Sequence, residues 1–286
     1  MATEYSSGGD PRRSMELLWR TREQPRRGPR PRLTVDRIVA AAIGIADGEG
    51  IAAVSMRRVA ERLGVTAMSL YTYVPSKAEL IDVMLDGVYA GMTRAAPASD
   101  HWRARLAAVA DDNRALYARH PWLAAVAAVS RPPLGPGVIA KYEYELRAFD
   151  GTGLDDVQRD AALTFLLGFV ETCARAAGAA RASRQQTEMT DQEWWEAVTP
   201  YLERVFDPER YPTAARVGAA AGAAQGAAYD PDRAYTFGLA RVLDGLAVLI
   251  EAPTTRAPTA GSEPRANPAG PAADGPSGPG PTGARR

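Results

Sequence analysis

The chain has 286 residues, 46% hydrophobic and 24% charged, enough for one ordinary domain plus a small appended one around a substantial core. Its 34 Lys and Arg balance 34 Asp and Glu, which excludes a wholly basic coat protein for nucleic acid and makes charge a quantity to read by segment. One cysteine (Cys173) and two histidines exclude an internal disulfide and a zinc finger, while the lack of a leading apolar h-region or of a run of ~18 apolar residues points to a cytoplasmic protein with no membrane span.

In chain order, residues 1–32 are polar and irregular and end in Pro25-Arg26-Arg27-Gly28-Pro29-Arg30-Pro31-Arg32. Alternating Pro and Arg cannot build a helix or a core, so this stretch is expected to be a flexible basic arm. A first helix is expected from Thr34 as N-cap, with Asp36 in its first turn and Ile38, Ala42 and Ile45 on one face. Gly48-Glu49-Gly50 ends it. Ser55 caps a second helix that presents Val59, Ala60 and Leu63 and stops at Gly64, where the chain must turn left-handed. Thr66 caps a third, very short helix containing Leu70, halted before Pro75. Ser76-Lys77-Ala78-Glu79 has the S-x-x-E spacing of a capping box and opens a long helix with Leu80, Met84 and Val88 inward. Helical rhythm continues to about residue 251, and no strand alternation bounded by turn signals interrupts it, so the fold class is all-α. Residues 252–286 are dominated by Pro, Gly, Ala and Thr and are expected to be a disordered tail.

Two short helices joined by a tight Gly turn make a helix-turn-helix at about residues 55–74, inside an N-terminal domain at 33–80. The string that carries it also includes Ala41-Ala42, Leu63-Gly64-Val65, Leu70-Tyr71, Tyr73-Val74 and Lys77-Ala78-Glu79-Leu80. With these residues, Thr34 through Leu80 resembles the DNA-binding domain of the TetR/AcrR regulators. Trp102, His120-Pro121-Trp122, Arg131-Pro132-Pro133-Leu134-Gly135-Pro136, Gly168-Phe169-Val170 and Leu243-Asp244-Gly245-Leu246 make residues 81–251 similar to the C-terminal domain of the tetracycline-repressor-like group. The resemblance implies a helical domain that binds a small molecule and dimerises through a four-helix bundle, ligand binding changing the separation of two DNA-reading heads.

DNA affinity comes chiefly from phosphate neutralisation, and sequence choice from base edges in the major groove. The recognition helix is expected from Ala67 to Tyr73, its free N-terminal N–H groups directed at a phosphate. The resemblance assigns Tyr71, Tyr73 and Lys77 to phosphates, with Ser55 and Thr66 doing so in addition to capping. It places Arg57 where relatives reach a guanine. Met56, Ala67, Met68, Ser69 and Thr72 are the other groove-facing candidates, a set that favours thymine methyl groups over bidentate hydrogen bonds. The structural alternatives are a packed Tyr71, an exposed first-turn Lys77 and a solvated Arg57 beside Arg58. The arm's Arg26, Arg27, Arg30 and Arg32 are either minor-groove contacts or a non-specific leader.

Leu163, Leu166, Leu167, Val170 and Ala174 form one helical stripe, and Leu239, Val242, Leu243, Leu246, Leu249 and Ile250 another. On periodicity alone these are intrachain core or interface in equal measure; the resemblance makes them the dimer bundle, and a two-fold dimer pairs with a palindromic operator. Cys173 falls on the first stripe and reads as a buried structural thiol. The small-molecule pocket is expected to be mainly apolar, lined by Leu106, Val109, Asn113, Tyr117, Ala127 and Arg131. Aligned on His120 and Arg131-Pro132, Ala127 stands where tetracycline repressors carry a metal-facing histidine, so the effector is expected to bind without a metal, and no cofactor is expected. No nucleophile elbow, P-loop, His–carboxylate metal motif or dinucleotide fingerprint marks an enzyme, and no catalytic residue is assigned. The expected function is a repressor released from double-stranded operator DNA by a small molecule; the alternatives are a helical adaptor or an activator without small-molecule control.

Overall fold

The computed structural model describes residues 6–21, 33–126 and 131–251, and among them every regular element is a helix. In chain order these are α1 (Pro11–Leu18), α2 (Val35–Glu49), α3 (Met56–Leu63), α4 (Ala67–Tyr71), α5 (Lys77–Ala90), α6 (Trp102–Arg119), α7 (Leu123–Val126), α8 (Pro136–Arg147), α9 (Asp156–Thr187), α10 (Asp191–Val205), α11 (Pro212–Gln225) and α12 (Pro231–Ile250). A 3-10 turn, Ile51–Ala53, links α2 to α3.

The caps read from sequence are in place. Thr34 accepts from the Arg37 N–H, Ser55 from Arg58 and Thr66 from Ser69, each satisfying a first-turn donor that the helix leaves unpaired. Gly64 ends α3 at φ 67° and ψ 35°, the left-handed conformation that costs other residues a Cβ clash. Ser76 departs from the expected box. Its hydroxyl accepts from the Ala78 N–H and meets the Glu79 carboxylate, whose other oxygen receives the Asp10 N–H at 3.3 Å. Glu79 therefore serves a tertiary contact with the N-terminal segment.

That segment corrects the expectation of an irregular arm over 1–32. Asp10 caps α1 by accepting from the N–H groups of Arg12 and Arg13, with Pro11 at the first helical position, where its missing N–H costs nothing. The helix buries Ser14 and Leu18 against α5. Buried Asp82 of α5 receives the Ser14 hydroxyl and the Ser7 N–H, both at 2.6 Å. Trp19 then donates its indole N–H to the Leu134 carbonyl at 2.9 Å, and Arg20 pairs with Asp36 of α2. Periodicity misled here because α1 is only two turns long and the stripe it buries pairs one apolar side chain, Leu18, with the polar Ser14. Arg26, Arg27, Arg30, Arg32 and the tail 252–286 lie outside the described residues.

Two cores stand side by side. The first joins α2, α3, α4 and α5 through Ile38, Ala42, Ile45, Val59, Leu70, Leu80 and Met84, and also takes Leu18, Leu116, Trp122 and Leu123. The second joins α6, α9 and α12 through Leu106, Val109, Leu163, Leu166, Val170, Tyr235, Leu239 and Leu243, with Phe149 after α8. The expected domain boundary after Leu80 thus falls inside α5, which carries buried residues on nearly every side. Asp47 at the end of α2 adds a polar tie, accepting from the Trp122 indole N–H and facing His120 Nδ1, both at 2.7 Å. An 18-residue window of α9 reaches a mean hydropathy of 1.2, long and apolar enough to cross a bilayer, contrary to the expectation from apolar runs. In the fold it packs one side of its first half against α6, α8 and α12, and 28% of that window is buried.

Candidate nucleic-acid interface and effector cavity

The head presents a compact set of exposed groups around α3 and α4. Ser55, Arg57, Thr66, Met68, Tyr71 and Thr72 are all exposed, Met68 at 76%. Arg57 reaches out with its side chain 86% exposed, held only by Glu61 at 3.0 Å one turn on. Arg58, its competitor, is instead paired with Glu49. Lys77 is half-buried in the first turn of α5.

Some expected groove-facing residues point elsewhere. Met56 is only 6% exposed and belongs to the head core, because α3 buries the stripe Met56, Val59 and Ala60. Ala67, expected at the groove, and Tyr73, expected at a phosphate, are half-buried against that core. Ser69 keeps its hydroxyl 2.9 Å from Thr66 Oγ1, inside the cap of α4. The base-facing candidates left by the geometry are Arg57, Met68 and Thr72.

Between α5, α6, α8 and α9 lies a cavity of about 390 Å³, within the range of small-molecule sites. Asn113 and Tyr117 line it as expected. Leu106 and Val109 do not; they are at most 1% exposed and fill the second core. Exposed Arg131 precedes the lining Pro132 without lining the cavity itself, and Ala127 lies outside the described residues.

The polar centre of the cavity is a cluster that sequence reasoning missed. Glu145 is 1% exposed, yet it accepts from Asn113 Nδ2 at 2.6 Å and is bridged by Lys141 Nζ at 2.7 and 2.8 Å. Lys141 also sits over the Tyr89 ring, 5.2 Å from its centroid. A buried ion pair persists only when its remaining valences are filled, and Asn113 and the ring do that here. The signal was present: the apolar pair Ala148-Phe149, projected back by helical steps, puts Glu145, Lys141 and Gly137 on the same inward stripe. Burial pushes the Tyr89 and Tyr117 hydroxyls well above their ordinary range, with the negative charges of Glu145 and Glu171 adding to the effect. For Tyr142 the hydrogen bond to Asp160, 2.7 Å long, is the larger cause of an upward shift.

The two apolar stripes are also corrected. Leu163, Leu166, Val170, Leu239, Val242, Leu243 and Leu246 are 9% exposed or less and pack α9, α12 and α6 together within one chain. Leu167 is half-buried and lines the cavity, Ala174 is half-buried in a second cavity, Ile250 backs the core, and Leu249 is exposed. Besides Leu249 at 44%, the open apolar side chains of the same helices include Phe165 at 60%, Phe237 at 65% and Val248 at 76%. A stripe of period 3.6 is drawn to the nearest apolar partner, here a helix of its own chain, which leaves Phe165, Phe237 and Val248 exposed on the other faces. Cys173 is half-buried rather than buried, and burial raises its thiol pKa, so it is a poor thiolate.

Comparison with known proteins bears on both sites. The description "Bacterial regulatory proteins, tetR family" matches residues 38–84, and "Tetracyclin repressor-like, C-terminal domain" matches residues 95–250. An HTH-type transcriptional repressor of Streptomyces coeruleorubidus, DrrR1, is 44% identical over 251 residues, spanning 87% of this chain and 90% of the relative. Among solved structures, apo ActR of Streptomyces coelicolor is 27% identical with a TM-score of 0.64, covering 78% of this chain and 99% of that one. ActR in complex with actinorhodin is 28% identical with a TM-score of 0.63, covering 76% of this chain and 96% of that one.

Proposed function

The chain belongs to the TetR family of bacterial regulatory proteins, and on that premise we infer that it is a homodimeric repressor whose hold on operator DNA answers to a small molecule in the α5–α6–α8–α9 cavity. ActR, solved in complex with actinorhodin, supports a small-molecule effector for this chain. A transcription factor of this kind works where the bacterial chromosome lies, in the cytoplasm.

The observation that carries the mechanism is α5 itself. Its first turn holds Lys77 beside the exposed α3–α4 surface, and its last turn holds Tyr89 in the cavity wall. Fourteen helical residues span about 20 Å as one stiff rod, so moving the Tyr89 end re-aims the head. Beside Tyr89 the wall is α8, which rests directly on α5 and carries Lys141 and Glu145. A ligand that favours a different α8 position therefore biases α5, and through it the distance between two heads. In the dimer, the exposed Phe165, Phe237 and Val248 faces of α9 and α12 supply the contact between subunits.

In the DNA complex Lys77, Tyr71, Ser55 and Thr66 hold phosphates, while Arg57, Met68 and Thr72 face base edges. Each assignment has its own readout. Lys77→Ala should weaken binding alike on all sequences and shallow the log–log salt slope by about 0.9 for each phosphate left without its cation, doubled by the two subunits. Arg57→Ala should relax preference at one base pair per half-site by about 1–3 kcal/mol. Mutant-operator titrations in which Arg57→Ala keeps the parent's base preference would refute its role.

A further inference from the structure

The charges around the effector cavity are unbalanced, and the imbalance has a direction. Three carboxylates line it, Glu145, Asp160 and Glu171, against one cation, Lys141, which Glu145 already engages at 2.7 and 2.8 Å. Glu171 is paired with Arg175, whose guanidinium is tied by Nε to the Ala124 carbonyl at 2.9 Å and lines a different cavity. Asp160 has no cation among the described residues; one oxygen accepts the Tyr142 hydroxyl at 2.7 Å and the other is open. Asp160, Thr164, Gly168 and Glu171 follow one another at helical spacing along the α9 wall, from exposed Asp160 to largely buried Glu171. The rings of Tyr89, Tyr117 and Tyr142 line the same cavity, Tyr89 already carrying Lys141 over its ring, together with the aliphatic Leu163 and Leu167. Burial at Tyr89 and Tyr117 and the Asp160 hydrogen bond at Tyr142 are the main causes of their raised hydroxyl pKa values, and the carboxylate charges add a smaller push in the same direction.

The second cavity, about 490 Å³ on the other side of Tyr117, has the opposite sign. Arg114, Arg175 and Arg181 line it against a single carboxylate, Asp232. An anion that reached this part of the domain would be drawn there and not to the α8 side.

Resting on the reading of the α5–α6–α8–α9 cavity as the effector site, we propose that the effector is an amphipathic cation: an apolar body lodged among the tyrosines and leucines, with a protonated amine held at the mouth by Asp160 and, deeper, by Glu171. Neutralising the amine removes the attraction that the row of carboxylates supplies, while the apolar contacts stay.

The test uses the full chain and three matched probes: 2-(aminomethyl)anthraquinone, its N-acetyl derivative and anthraquinone-2-carboxylate. Isothermal titration without DNA keeps intercalation out of the measurement. The amine should bind at least about tenfold more tightly than the acetylated probe, and raised salt should narrow the gap because Asp160 is exposed. Asp160→Asn should cut the preference to about threefold or less while leaving the acetylated probe's affinity unchanged, and Glu171→Gln should cut it in part. Equal or tighter binding of the acetylated or carboxylate probe would overturn the charge preference and leave the effector site standing. Failure of all three to bind would overturn the effector site as well, and operator binding by the unliganded protein tests the regulator reading separately.

Discussion

Gly137 is where α8 touches α5, and replacing it should damage stability and signalling together. A Cβ built there would sit 2.9 Å from the Ala90 nitrogen and 3.0 Å from the Asp86 carbonyl carbon, and closer still to the Asp86 carbonyl oxygen. Favourable contact for such atoms is about 3.5–4.0 Å, so α8 must retreat by roughly 0.5–1 Å or more. The atoms in the way are backbone of a buried helix, which cannot swing aside as a long side chain would. Overpacking typically costs about 1–3 kcal/mol, and this site belongs at the upper end, about 3 kcal/mol for Gly137→Ala. For a protein of this size that is a fall in Tm of roughly 6–12 °C by circular dichroism. The retreat also separates Asp86 from the Val138 N–H it accepts at 2.9 Å, loosening the link between cavity wall and head. Gly44→Ala is the control of opposite sign. Nothing lies within 4 Å of its added Cβ, and α2 is helical there, so it should gain about 0.5–1 kcal/mol. A Gly137→Ala protein that melts within about 2 °C of the parent and releases operator at the same effector concentration would refute the argument.

Leu18→Ala should cost about 2–3 kcal/mol in urea denaturation, since the side chain is 3% exposed but lies at the edge of its core, and trypsin should cut faster after Arg20; an unchanged midpoint would mean that α1 is not anchored as described. Asp82 and Asp86 have folded pKa values raised above 3.8, chiefly by burial, so their protonated forms stabilise the fold and that contribution is lost as pH rises through the folded values. From about pH 7 to about pH 4.5 the parent should therefore lose less stability than an Asp82→Asn, Asp86→Asn double variant, and identical pH profiles in urea titrations would contradict this. Phe165→Asp, on an exposed face, should shift sedimentation from dimer to folded monomer, whereas Leu166→Asp, at 0% exposure, should unfold the protomer; a Phe165→Asp dimer intact at micromolar concentration would return the interface to another surface.

Sequence alone determined the fold class and the caps of the head helices α2, α3 and α4. Thr34, Ser55, Thr66 and Gly64 act within a turn of where they stand, through hydrogen bonds and backbone conformation that involve only near neighbours in the chain, so their roles were legible without a fold. Fold class and the helix-turn-helix followed from such signals. What the tertiary structure decided was direction. Leu163, Leu166 and Leu243 are apolar at helical spacing whether they face a sister helix or a second subunit, and only the packing of α9 on α12 and α6 turned them inward and left Phe165 and Phe237 outside. Met56 was assigned to the groove by position and to the core by the side of α3 it occupies. Glu145 and Lys141 look like an exposed i,i+4 pair until α5, α6 and α9 close around them, and Ser14 and Leu18 look like part of a loose arm until Asp82 and the head core receive them. Short-range forces act over the few residues that a sequence window displays. Burial depends on which distant elements arrive on each face, and that is set by the whole chain at once.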